Sequence, residues 1–213
     1  MISQIFAQDP AYSSLKTVLE LFRRRHPALR IFSFGRSGLG RNLYALSIGS
    51  CRGASLLVGG MDGQDASSTL LLLRLCEQLL LSLEEDSLLC EIDVRRLLER
   101  RGLLLIPCLN PDGISIAAGG SAAALERSPI VENLLEASSQ PWQATAWGVQ
   151  LSRNFDAGWE YSVLQQKQAG ITVPACCGFG GFSPFDQPES LALAQLCAAA
   201  SPCRCYSLAS GAS

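Results

Sequence analysis

The stretch Leu56-Leu57-Val58-Gly59-Gly60-Met61-Asp62-Gly63-Gln64-Asp65 decides how this chain is read. An apolar run ends in two glycines, then in two carboxylates with a glycine and a glutamine between them. A leucine-rich segment from Thr69 to Leu83 follows. This is the pattern of a buried strand, a tight turn over its carboxyl end, and a helix packing back on the sheet. Ligands of open α/β sheets sit in the crevice at that end of the strands, so chemistry is sought first at Asp62 and Asp65.

On the N-terminal side, Leu15, Val18, Leu19 and Phe22 recur at helical spacing and predict a helix from Tyr12 to Arg25, stopped by Pro27. Arg23-Arg24-Arg25 and His26 fall at its end, where positive charge complements the dipole. Two short strands, Leu29 to Phe34 and Asn42 to Ile48, flank the glycine-rich turn from Gly35 to Arg41. A phosphate loop would open onto a helix and carry a Lys-Ser/Thr pair; this turn does neither, so it is read as structural.

On the C-terminal side, a polar loop from Glu84 to Ser87 leads into a helical stretch from Ile92 to Arg101. The continuous apolar run Leu103 to Leu109 then has the character of a central strand covered on both faces. Asn110-Pro111-Asp112-Gly113 reads as a type I turn. Beyond it only a short helix near Ile130 to Ala137 is periodic. Asp186 is placed as the N-cap of a helix to about Ala199, and a strand is expected from Cys205 to Gly211. The fold class is α/β: a mixed, mostly parallel sheet with helices on both faces.

The 213 residues are enough for one core and show no linker or repeat, so residues 1–213 are read as one domain. Net charge is −2 with no long basic run, which gives no reason to invoke nucleic acid. The richest apolar segment carries Arg74, Glu77 and Gln78, so an amphipathic helix is expected there and no membrane span. The N-terminus lacks the basic start and apolar stretch of an export signal. Nine cysteines are an odd count. Cys76, Cys108 and Cys197 sit in apolar surroundings, and neither Cys176-Cys177 nor Cys203-Arg204-Cys205 has zinc-knuckle spacing. A reducing, cytoplasmic setting is expected.

Four landmarks in order carry a resemblance: Gly38-Leu39-Gly40-Arg41-Asn42-Leu43-Tyr44-Ala45-Leu46, Asn110 to Gly113, Gly148 to Trp159, and Ser183 to Glu189. Together they resemble the zinc carboxypeptidases of the carboxypeptidase A-like family, in particular the bacterial branch that cleaves γ-D-glutamyl–diamino acid bonds in cell-wall peptides. The resemblance implies a zinc site whose ligand positions are here Asp62 (histidine in the family), Asp65 (glutamate) and Ala209 (histidine). It also implies that Trp147 stands at the oxyanion arginine and that Ser152-Arg153 stands at the Asn-Arg pair gripping a terminal carboxylate. The general-base glutamate falls on a later strand, beyond Ser213. The sequence holds one histidine, His26, which lies far from these motifs.

The expectation is therefore a chain without catalytic residues, lacking the family's C-terminal portion, and with zinc weakly held or lost. Asp62 and Asp65 read either as a residual site for a hard divalent cation or as an acidic turn with Asp65 capping the helix. Arg153 reads as a carboxylate clamp or as an ion pair with Asp156. Two functions stand open: a metallopeptidase of cell-wall peptides by descent, and a non-catalytic peptide-binding relative or relic. An edge near Tyr206 to Ser210 is expected to be bare and prone to self-association.

Overall fold

A computed structural model describes residues 2–210 and, of Arg100, only the backbone. A short helix, α1 (Gln4–Gln8), precedes α2 (Tyr12–Arg25), whose buried stripe Leu15, Val18, Leu19 and Phe22 is the expected one. His26 is its C-cap, and its Nδ1 lies 2.5 Å from Glu84 Oε1. The hairpin of β1 (Arg30–Arg36) and β2 (Asn42–Ile48) carries a register shift between Ser33 and Gly35. Then come β3 (Ser55–Val58), α3 (Ala66–Glu84), α4 (Val94–Arg100) and β4 (Leu103–Ile106). They are followed by α5 (Pro111–Gly119), α6 (Ser128–Glu136), α7 (Trp159–Gln168), α8 (Pro188–Ala200) and β5 (Arg204–Ser207).

The five strands form one mixed sheet in the order β1-β2-β4-β3-β5. β1–β2 and β2–β4 are antiparallel; β4–β3 and β3–β5 are parallel. Strand alternation divides the core in two. Leu46, Ile48 and Leu105 pack with Val18 and Phe22 of α2 and Leu72, Leu73 and Cys76 of α3 on one face. Ala45, Leu56, Val58, Leu104 and Ile106 pack with Leu193 and Ala200 of α8 on the other. By length and composition α3 passes as a bilayer span, a test that a core helix also meets, and half of its apolar window is buried inside the fold.

Three local expectations are corrected. Asn110 to Gly113 is not a free-standing turn: the Asn110 side chain accepts from Gly113 N at 2.8 Å and Pro111 opens α5. Proline at the first helical position and an acidic first turn are helix-start signals as much as turn signals. The cap of α8 is Gln187, one residue beyond Asp186, because Pro188 fixes the helix start. Asp186 instead accepts from Asn154 Nδ2 and Phe182 N, both at 2.7 Å. Helix α7 was not expected, since among its side chains only Gln166 is buried. β5 ends at Ser207, short of the expected limit at Gly211, which lies outside the described residues.

Candidate functional site

The turn after β3 is fixed by its own backbone. Gly59 N donates to Ile106 O, and Leu109 N and Asn110 N donate back to Gly59 O and Gly60 O. Gly60 has φ +58, and a β-carbon there would stand 2.9 Å from Cys108 Cα. Gly60 N donates to Ser68 Oγ at 2.7 Å, tying the turn to the first turn of α3. Gly63 N donates to Gln143 O at 2.9 Å, which brings in a segment eighty residues away in sequence. The result presents Asp62 and Asp65 at the carboxyl end of β3, as the sequence implied.

Both carboxylates are occupied by protein donors. Asp65, buried, caps α3: it accepts from Ser68 N at 3.3 Å and Ser68 Oγ at 2.5 Å. Its Oδ1 also accepts from Ser210 N at 3.0 Å, holding the segment that follows β5. Asp62 Oδ2 accepts from Ser152 Oγ at 2.8 Å and Gln150 Nε2 at 2.9 Å, while Oδ1 accepts from Ser152 N at 3.2 Å. The same Gln150 amide donates to Gln143 Oε1 at 2.9 Å, and its Oε1 accepts from Gly178 N at 2.8 Å. Asp62, Asp65, Ala209, Gln143, Gln150 and Ser152 line one cleft of about 320 Å³. Gln143 and Gln150 were missed in the sequence, where a neutral amide carries no ligand or catalytic signature.

Arg153 and Ser152 border a second cleft of about 270 Å³, walled by Phe155, Trp159, Tyr161 and Gln165. Arg153 Nε and Trp159 Nε1 are buried there without a hydrogen-bond partner. Among the described residues Arg153 makes no ion pair, to Asp156 or to any other carboxylate. The neighbouring Asn154 is fully buried and anchors the strip: its Nδ2 donates to Gly180 O at 2.8 Å and its Oδ1 accepts from Ser190 Oγ at 2.6 Å. A buried N–H donor without a partner costs free energy, and two such donors sit in this strip, one of them from a guanidinium.

Trp147 does not join these residues. Its ring packs where a β-carbon on Gly38 would stand, 2.6 Å from Cζ3, and the Arg127 guanidinium lies over it at 4.4 Å. It therefore supports the Ser37–Arg41 turn, which is structural throughout. Ser37 Oγ and Leu39 N donate to the buried Asp112 carboxylate at 2.9 and 2.8 Å, and Arg41 pairs with it at 3.4 Å. Burial still raises the Asp112 pKa, against the Leu39 N–H, the Arg41 charge and the Ser37 hydroxyl. A larger depression of about 600 Å³ runs along α2 beside Lys16, Glu20 and Tyr44 and shares no lining residue with the Asp62 cleft.

A zinc ion takes nitrogen, sulfur or carboxylate donors, in catalytic sites three from the protein with a position left open. Here Ala209 has no donor atom, and the oxygens of Asp62 and Asp65 already face N–H and O–H groups. Among the described residues no three His, Cys, Asp or Glu side chains are grouped to hold a metal ion. The residues at these positions do not fit zinc.

Comparison with known proteins places the fold. The chain is 26% identical over 197 residues to the uncharacterized protein YqgT of Bacillus subtilis, covering 91% of this chain and 50% of that one. It is 25% identical over 191 residues to gamma-D-glutamyl-L-diamino acid endopeptidase 1 of Lysinibacillus sphaericus, covering 89% and 47%. The chain thus spans about half the length of these two curated relatives. Among solved structures, the carboxypeptidase A of Helicoverpa armigera superposes with a TM-score of 0.68 at 18% identity, over 95% of this chain and 46% of that one. The family model described as zinc carboxypeptidase matches residues 15–212. The chain belongs to the zinc carboxypeptidase family.

Proposed function

We propose that this chain is a non-catalytic member of its family that binds peptides through a free carboxylate in the Arg153 cleft. The observation that carries the proposal is the set of protein donors on Asp62: Gln150 and Ser152 occupy the lone pairs a metal would need. In the family, zinc lowers the pKa of a bound water and polarises the scissile carbonyl. Ala209 at the third position, with no fitting donor set around it, leaves that water without an activator.

The ligand class follows from the second cleft. Arg153 lines the cleft with a planar cation that makes no ion pair among the described residues, and Trp159, Tyr161 and Phe155 supply aromatic wall. The Lysinibacillus relative's name supports a γ-D-glutamyl–diamino acid peptide of the cell wall as the ligand. Nine cysteines, all free, support a reducing cytoplasmic setting, and a net charge of −2 gives no reason for nucleic acid or an anionic membrane surface. The outer edge of β5, whose four residues are exposed, is where self-association is proposed.

The second reading, a working metallopeptidase of the same peptides, is favoured by family membership. The test is to titrate zinc into the protein by calorimetry, then incubate it with zinc and a γ-D-glutamyl–diaminopimelate peptide. Saturable peptide binding without hydrolysis, and no zinc uptake at the Asp62 cleft, is the expected result. Zinc-dependent turnover would establish the second reading and end the first.

A further inference from the structure

Two charges of opposite sign border adjoining clefts without neutralising each other. Asp62 lines one cleft, Arg153 lines the other, and Ser152 lines both. The Asp62 cleft holds two carboxylates and no lysine or arginine, while the Arg153 cleft holds no carboxylate. Among the described residues neither Asp62 nor Arg153 makes an ion pair. Asp65 is buried and taken up by its cap on α3 and by Ser210 N. The charge that faces the first cleft is therefore that of the half-buried Asp62. Opposite charges held apart in this way are complementary to a ligand that carries both.

We propose that the Asp62 cleft is a subsite for a primary ammonium, carried on the side chain of the same terminal residue whose carboxylate lies at Arg153; this rests on the reading of Arg153 as the carboxylate site. The ligand's last residue is then a diamino acid. An ionised carboxylate has about four lone pairs. The donors on Asp62, namely Gln150 Nε2, Ser152 Oγ and Ser152 N, leave one of them open on Oδ1. That is enough for one ammonium N–H and does not supply the three protein donors of a zinc site. An ammonium brings three N–H donors and no acceptor. Gln143 Oε1, in the same cleft, accepts from Gln150 Nε2 and has a second lone pair to offer. Ser207 and Ser210 also line the cleft and bring hydroxyl acceptors.

The position of the ammonium on the ligand follows from the two clefts. A lysine-like side chain carries its charge at the end of a flexible stem, several bonds from the carboxylate, which suits clefts that adjoin rather than coincide. The aromatic wall of Phe155, Trp159 and Tyr161 does not distinguish such a stem from a plain hydrocarbon of the same length, because both are apolar. Discrimination therefore falls to Asp62, through a charge-assisted hydrogen bond that only the ammonium can donate. The substituted metal position becomes a specificity determinant.

The experiment is calorimetry on the whole chain with N-acetyl-γ-D-glutamyl-L-lysine and N-acetyl-γ-D-glutamyl-L-norleucine, with a chelator present so that no metal fills the cleft. The two peptides share their carboxylates, and the lysine ammonium is the one cation that separates them. The expected result is that the lysine peptide binds about tenfold more tightly at low salt, with the gap narrowing as salt is added. Asp62→Asn should bring the lysine peptide down to the norleucine level and leave norleucine affinity unchanged. Equal affinity of the wild type for both peptides, or a lysine preference that survives in Asp62→Asn, would overturn the ammonium subsite and leave the Arg153 cleft standing. Binding of neither peptide would overturn both readings. The wild-type comparison needs no variant to fold, so a misfolded Asp62→Asn leaves the test intact.

Discussion

Glu189 gives the stability of this fold a pH dependence that one substitution isolates. Its carboxyl is fully buried in the first turn of α8; Oε1 accepts from Gly38 N at 2.9 Å, and Oε2 has no partner. Burial raises its pKa from 4.5 to about 7; the Gly38 N–H opposes this and the Asp112 carboxylate adds to it. A difference of about 2.5 units corresponds to about 3 kcal/mol at roughly 1.36 kcal/mol per unit. The folded pKa is the higher one, so the native state holds the proton more tightly than the unfolded chain. The stabilisation is therefore complete below about pH 4.5 and is lost as pH rises through about 7. Glu189→Gln keeps the acceptor for Gly38 and cannot ionise. Urea unfolding of both proteins at about pH 5 and pH 8 should show the variant gaining about 2–3 kcal/mol relative to the wild type at the higher pH. Asp112, also shifted upward, is present in both proteins, so only its coupling to Glu189 enters the difference. A difference that stays flat across that interval would refute the assignment of Glu189 as a buried, proton-binding acid.

Three further outcomes follow from the same packing. Arg41→Met removes the donors to Pro111 O and Ala123 O, each at 2.9 Å, and strands the buried Asp112 charge; chemical denaturation should show a loss of about 3–5 kcal/mol. Gly60→Ala places a β-carbon against Thr69 Oγ1 and the Cys108 backbone at φ +58, and a loss of about 2 kcal/mol or more is expected in the same assay. Arg153→Lys loses the planar fork while keeping the charge, so calorimetric affinity for a carboxylate-ended peptide should fall about tenfold, with the melting temperature little changed. Unchanged affinity would place the peptide elsewhere.

What was legible in the sequence, and what was not, divides along sequence separation. The α2 stripe from Leu15 to Phe22 and the apolar run at β4 are local patterns, and the structure places those elements within a few residues of where they were read. Asn110 to Gly113 was ambiguous because a proline after an asparagine starts turns and helices alike; the α5 side chains Ile114 and Ile116, buried against different clusters, decided for the helix. Helix α7 has no apolar stripe to read, with Tyr161 and Leu164 turned to solvent. Within the site, the Asp62–Asp65 turn was legible because strand, glycines and helix are contiguous. Gln150 was not, because its bond to Asp62 joins positions 88 residues apart, and nothing local distinguishes a glutamine that will meet a carboxylate from one that faces water. Trp147 was read from its position beside the Gly148 motif, and its actual place under Gly38 and Arg127 depends on a turn more than a hundred residues upstream.

The same contacts explain how a metal-site turn keeps its shape in a chain whose residues do not fit the metal. Backbone bonds from Gly59, Leu109 and Asn110 hold the turn, and the Ser68 hydroxyl bridges Gly60 N to Asp65. None of these bonds needs a cation. Carboxylates at Asp62 and Asp65 without counter-charge would instead cost free energy through desolvation and mutual repulsion. Ser152, Gln150, Ser68 and Ser210 supply that compensation as N–H and O–H donors. Hydrogen bonds to ionised carboxylates contribute about 1.5–3 kcal/mol each when formed in a folded protein. A few such bonds are enough to hold the Gln150–Arg153 strip in register with the two segments that a shared metal would join, the β3–α3 turn and the chain after β5. The turn is anchored by the protein's own donors, and those on Asp62 compete with any cation for its oxygens.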